Sequence, residues 1–259
     1  MGWFAQWRRG RILRRSALDE GRWRSVLDGY PFTRALSGEE RARLRDWVIL
    51  FLHEKSIVGA GGLVIRDEMR MGIAAQACML ILNLDLDCYR GWVEVIVYPD
   101  EFVAEYEYAD EDGIVHHVEE PMSGESWLAG PVILSWADAQ LRGESGYNVV
   151  IHEFAHKLDM LNGDANGFPP LHAGMDRGEW SRAFAAAYEE FRGRVERREA
   201  TGIDPYAAES PAEFFAVLSE AFFETPGAVR SEYRDVYRQL AAFYRQDPAA
   251  RLALPATGT

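Results

Sequence analysis

Lysine is almost missing from this chain of 259 residues: among its 28 basic residues only Lys55 and Lys157 are not arginine. Cysteine is as scarce. Cys78 and Cys88 lack the Cys-x-x-Cys spacing of a redox or zinc pair, which excludes a disulfide-stapled fold and predicts free thiols in the core. Long apolar runs are lacking too, since the stretch from Ile73 to Leu86 is broken by Gln76, Asn83 and Asp85 and falls short of the roughly 18–20 residues of a bilayer crossing. Where a secretory leader would carry its apolar segment stands Arg14-Arg15-Ser16-Ala17-Leu18-Asp19-Glu20, so a cytoplasmic protein is expected. No internal repeat, low-complexity linker or Gly-rich phosphate loop is present.

What is there is a chain 48% hydrophobic, enough for a substantial core, with 41 acidic residues and a formal charge of -13. Such a surface repels a phosphate backbone, and direct nucleic-acid binding is not expected. Residues 1–25 run against that balance, with seven arginines facing only Asp19 and Glu20, and with Trp3, Phe4 and Trp7 among them. This basic arm reads either as an amphipathic segment that touches an anionic membrane or a protein partner, or as a helix packed at the edge of the fold. Residues 1–25 are then expected to be an arm, 26–248 a single domain and 249–259 a tail.

Ser37-Gly38-Glu39-Glu40 has the form of a capping box that opens a helix running through Leu52. Gly62–Ile65 is expected to be a short strand, followed by a buried helix from about Asp67 to Leu82. From Trp92 to Leu134 the period changes, with Val93, Val95 and Val97 alternating and further strands expected at Phe102–Tyr108, Ile114–Val118 and Pro131–Leu134. A turn at Asp110-Glu111-Asp112-Gly113 suggests a hairpin. Helical patterns follow at Trp136–Leu141, Tyr147–Met160, Glu179–Glu199, Ser210–Glu224 and Arg230–Gln246. Helices flanking one block of strands predict an α+β protein, mainly helical with a small β-sheet.

The chemistry is carried by Val149-Val150-Ile151-His152-Glu153-Phe154-Ala155-His156, which sets His-Glu-x-x-His in a helical pattern. Four residues apart on a helix, His152 and His156 share a face and can converge on one ion, while Glu153 can exchange a proton with a water beside it. The apolar lead-in would bury these polar groups, and a metal offsets their desolvation. A third ligand is required. Asp159 shares the face but is better placed as an acceptor that steadies a histidine, because one straight helix does not readily wrap three ligands around an ion. The second candidate is Glu213: Ser210-Pro211-Ala212-Glu213 looks like an ordinary capping box, yet Phe214, Phe215, Val217 and Leu218 would draw that turn inward, toward a metal.

The segment His152–Asp159, together with Tyr206 and Pro211-Ala212-Glu213-Phe214-Phe215-Ala216-Val217-Leu218-Ser219-Glu220, resembles the Mlc titration factor A family of zinc metallopeptidases. The resemblance extends to Ile73–Cys78, Val97-Tyr98-Pro99 and Gly130–Trp136, and the tyrosine-to-glutamate spacing is similar to that of the anthrax lethal factor catalytic domain. It implies a zincin-like fold and one zinc per chain, with His152, His156 and Glu213 as ligands, Glu153 as general base and Tyr206 at the transition-state oxyanion. It also implies aminopeptidase-like activity on peptides and a partner resembling the Mlc repressor; a non-catalytic protein that sequesters a repressor is the alternative. Such sites often carry an acid four residues after the ligand glutamate, but Val217 stands there, leaving Asp159, Glu209 or Glu220 to brace a histidine. Gly130–Trp136 is expected to offer an edge strand to an extended substrate, with Pro131 suited to the edge. His116-His117 is expected to be surface or cross-strand packing, and His172 to lie near the cleft.

Overall fold

The computed structural model describes residues 3–109, 115–126, 129–141 and 146–253. The first helices are α1 (Trp3–Arg15), α2 (Glu20–Asp28) and α3 (Gly38–Glu54), the last opened by the expected capping box: Ser37 accepts from the Glu40 amide and Glu40 returns to the Ser37 amide. Strand β1 (Ser56–Gly59) leads to α4 (Asp67–Leu80), in which every residue from Met71 to Leu80 is buried. Strands β2 (Glu94–Tyr98), β3 (Phe102–Ala109), β4 (Val115–Met122), β5 (Gly124–Ser126) and β6 (Val132–Ser135) follow, then α5 (Trp136–Ala139) and α6 (Val149–Asp159). The remainder is α7 (Arg177–Glu196), α8 (Pro211–Glu224), α9 (Pro226–Glu232), α10 (Arg234–Tyr244) and α11 (Pro248–Ala253).

Two small sheets organise the strands. The first has the order β1-β2-β6-β5, with β1, β2 and β6 parallel and β5 antiparallel to β6; the second is the antiparallel pair β3-β4. In β2 the alternation seen in the sequence is real, since Val95 and Val97 are fully buried and Glu94, Ile96 and Tyr98 are not. Helix α6 lies against β5 and β6 on one side and against α4 and α8 on the other. It is walled in by Val150, Ile151, Phe154, Ala155 and Leu158, each with no exposed surface.

Several expectations are corrected. The strand expected at Gly62–Ile65 is a turn, with Gly61 and Gly62 at φ +59° and +83°, and the strand lies earlier, at Ser56–Gly59. Gly59 packs so closely on the Leu63 carbonyl that a Cβ would overlap it. The helix expected at Arg230–Gln246 is broken at Tyr233 (φ -127°, ψ 62°), whose hydroxyl reaches across to Glu190 on α7 at 2.7 Å. The strand β6 is not an edge: β2 and β5 flank it, and Pro131 precedes its first residue, where a missing N–H costs no pairing. The edge strand next to β6 is β5. Cys78 and Cys88 are free thiols, as expected. The turn expected at Asp110–Gly113 lies outside the described residues. Among the described residues no helix is long and apolar enough to cross a membrane.

Candidate metal centre

The site is built from helix α6 and the first turn of α8. Asn148 caps α6, its Oδ1 accepting from the Ile151 amide at 3.0 Å, and so sets where His152 and His156 emerge. Ser210 caps α8 in the same way, its hydroxyl accepting from the Glu213 amide at 3.1 Å, with Pro211 at the first helical position. Only half of a capping box forms there. The Glu213 side chain turns to the histidines instead of the Ser210 amide, because the buried Phe214, Phe215, Val217 and Leu218 anchor this turn against the core.

The three groups meet. His152 Nε2 lies 3.0 Å from Glu213 Oε2, His156 Nε2 lies 3.4 Å from Glu213 Oε1, and the two Nε2 atoms are 3.1 Å apart. Among the described residues this is a cluster whose donor atoms all lie within 4.8 Å of one another. Four ligands at about 2.0–2.1 Å from a tetrahedral ion would stand about 3.3–3.4 Å apart, so the spacing fits one small divalent cation bound through both Nε2 atoms. Glu153 Oε2 is buried without a hydrogen-bond partner, which also fits a cation and its polar ligand held at this place.

Electrostatics agree with that geometry. Burial would raise the Glu213 carboxyl, but the two imidazoles beside it outweigh burial and hold it well below the usual carboxylate range. Burial would lower His152, yet its bonds to Glu213 and Glu220 push it well above the ordinary histidine value; a cation would take the place of that proton. Glu153 is buried among apolar walls, and burial pushes its carboxyl upward against the pull of the nearby histidines.

Of the three acids left open to brace a histidine, Glu220 touches one. Its Oε1 lies 2.7 Å from His152 Nδ1, and its Oε2 accepts from the Asn148 amide. Seven residues after Glu213, it falls on the same face of α8 two turns on. Asp159 instead ties down the loop after the site helix, accepting from the Asn166 and Gly167 amides at 2.7 and 2.6 Å, within electrostatic reach of His156. Glu209 is exposed. Tyr206 stands on a one-turn 3₁₀ helix, Pro205–Ala208, with its ring 6.1 Å from the His152 ring and its side 48% exposed to the cleft. His172 packs on Phe243, its Nε2–H donating to the Phe243 carbonyl at 2.7 Å, and so belongs to the α10 contact. His116 and His117 pair in register with Tyr108 and Glu107.

Comparison with known proteins follows this geometry. The model of the glucose-regulated metallo-peptidase M90 family matches residues 4–245. The chain belongs to this family. Relatives include a Mlc titration factor A of Serratia proteamaculans, 40% identical over 234 residues that cover 89% of this chain and 88% of the relative. A Mlc titration factor A of Salmonella arizonae is 40% identical over 236 residues, covering 89% and 92%. An uncharacterized protein of Synechocystis is 37% identical over 231 residues, covering 87% and 84%.

Sequence reasoning missed three parts of the site. Gly124 on β5 lies against Glu153 so closely that a Cβ would overlap the carboxylate. Ser126, two residues on, donates to the Glu153 carbonyl at 2.9 Å. Asn148 links the site inward, its amide group donating to Gln76 and Glu224 at 2.8 Å each. A signal existed for one neighbour: the rarity of lysine. Lys157, right after His156, is buried, donates to the Gly130 carbonyl at 2.9 Å and is lowered by burial to about 8, and Lys55 shares the Trp92 ring with it.

Proposed function

We propose that this M90 chain is a zinc-dependent peptidase of aminopeptidase-like action, with His152, His156 and Glu213 as ligands, Glu153 as general base and Tyr206 beside the oxyanion. The observation that carries the reading is the approach of both imidazole Nε2 atoms and the Glu213 carboxylate to 3.0–3.4 Å of one another, with the unpartnered Glu153 carboxylate buried on the same turn. Zinc bound there would polarise the scissile carbonyl and ease the loss of a proton from water. Glu153 accepts that proton at its free carboxylate oxygen and returns it to the leaving amine, and its upward-shifted pKa suits both halves of the exchange. The Glu220 carboxylate holds the Nδ1–H tautomer of His152, so that Nε2 faces the ion. The Tyr206 phenol, half exposed beside His152, donates to the developing oxyanion.

The antiparallel edge strand β5 is the natural place for an extended peptide to pair, directly over Glu153. A partner resembling the Mlc repressor is carried over from the names of the relatives. Catalysis and repressor binding are separable by Glu153→Gln. The expected outcome is about one zinc per chain by metal analysis, cleavage of a peptide library that stops on chelation, and cleavage lost in Glu153→Gln with zinc retained, by on the order of 10²-fold or more. Unchanged cleavage in that variant would overturn the mechanism. A wild type that binds the repressor but cleaves nothing would support the sequestration reading.

A further inference from the structure

The two sides of α1 are used differently. At about 100° per residue, Arg9, Ile12 and Leu13 fall on one side and are the residues that hold the helix to the body. Ile12 is buried, Leu13 packs on the core, and Arg9 binds Asp85 and Asp87 at 3.1 and 2.9 Å while lying 5.5 Å over the Trp47 ring. The opposite side carries Trp3, Phe4 and Trp7 toward one end and Arg8, Arg11, Arg14 and Arg15 toward the other, all exposed. The three aromatic side chains are 71%, 77% and 51% exposed. Among the described residues no other tryptophan or phenylalanine is exposed, and the remaining exposed apolar side chains are scattered singly. The helix holds no acid; Arg8 lies 3.7 Å from Glu54, and Arg11 lies 5.6 Å over the Trp7 ring on the same outward face.

We propose that this outward face of α1 docks on an anionic lipid bilayer, with Trp3, Phe4 and Trp7 in the interfacial layer and Arg8, Arg11, Arg14 and Arg15 on lipid phosphates. Indole and phenyl rings favour the headgroup boundary, and arginine can lay its stem along the apolar layer while its guanidinium reaches phosphate. The net charge of -13 does not oppose this contact. Screening confines the attraction to about 10 Å at 0.1 M salt, and α1 itself carries arginine and no acid, with Glu54 beside Arg8 from the neighbouring helix. A nucleic-acid duplex would meet the same arginines but has no apolar layer for three rings.

The test is co-sedimentation of the full chain with vesicles of phosphatidylcholine alone, or of phosphatidylcholine and phosphatidylglycerol mixed three to one. At low salt about tenfold more protein is expected on the anionic vesicles, with the difference abolished at high salt. Replacing Trp3, Phe4 and Trp7 together by serine, or Arg11 and Arg15 together by glutamate, is expected to remove binding while leaving the thermal unfolding midpoint unchanged. Wild type that ignores the anionic vesicles, or variants that bind as well as wild type, would overturn the proposal. The first of those outcomes leaves the face to a protein partner. Sedimentation reads lipid contact alone, so the result is independent of whether the chain cleaves peptides.

Discussion

Glu153 and Gly124 show how little room a single side chain has at this centre. The carboxylate is buried, its Oε2 has no partner, and the nearest wall is a backbone with no Cβ. Gly124→Ala should push the carboxylate off its position, and a displacement of about 1 Å is enough to cost on the order of 10²-fold in kcat. Steady-state kinetics together with metal content check this, the expectation being slower turnover at unchanged metal. Glu220 acts through His152. Glu220→Gln removes the charge beside Nδ1, and metal binding should weaken about 10–100-fold in competition with a chelator, with the fold intact by circular dichroism.

At the scale of elements, α8 joins the site to the core. Glu213, Glu220 and Glu224 recur along it at intervals that keep them on the side toward α6, while Phe214, Phe215, Leu218 and Phe222 fill the interior. The Ser210 cap starts this arrangement. Ser210→Ala should lower stability by about 1 kcal/mol in urea unfolding, and should weaken metal affinity as the turn bearing Glu213 frays. The cap and the proline were readable from the order Ser210-Pro211, as was the box at Ser37, because such bonds close within one turn of chain. The strand at Ser56–Gly59 was not, and Gly62–Ile65 was expected in its place. Whether a short apolar stretch pairs or turns depends on which strand lies alongside, and the partner of β1 is β2, nearly forty residues away.

For the whole molecule the buried acid Glu224 sets a pH dependence. Burial pushes its carboxyl up to about 7, against the Asn148 bond and with help from Glu220. Between the unfolded value of 4.5 and about 7 the unfolded chain releases this proton and the folded chain keeps it, so stability present below pH 4.5 is lost as pH rises through 7. Glu224→Gln should remove that loss. Relative to wild type the variant should gain stability between those pH values, by on the order of 3 kcal/mol at most, as read by urea unfolding across the range.

Read from the chain alone, the two histidines one helical turn apart, the acid between them and the apolar lead-in already pointed to a helix able to hold a metal, because ligand spacing within one helix is a property of its pitch. The inward Glu213 was suggested by its aromatic neighbours and by resemblance. Tertiary structure alone decided that Glu220, not Asp159 or Glu209, braces His152, that β5 is an edge strand and β6 is not, and that Gly124 leaves space for Glu153. Each of these depends on contacts between elements far apart in sequence, where register, not local pattern, determines which side chains meet.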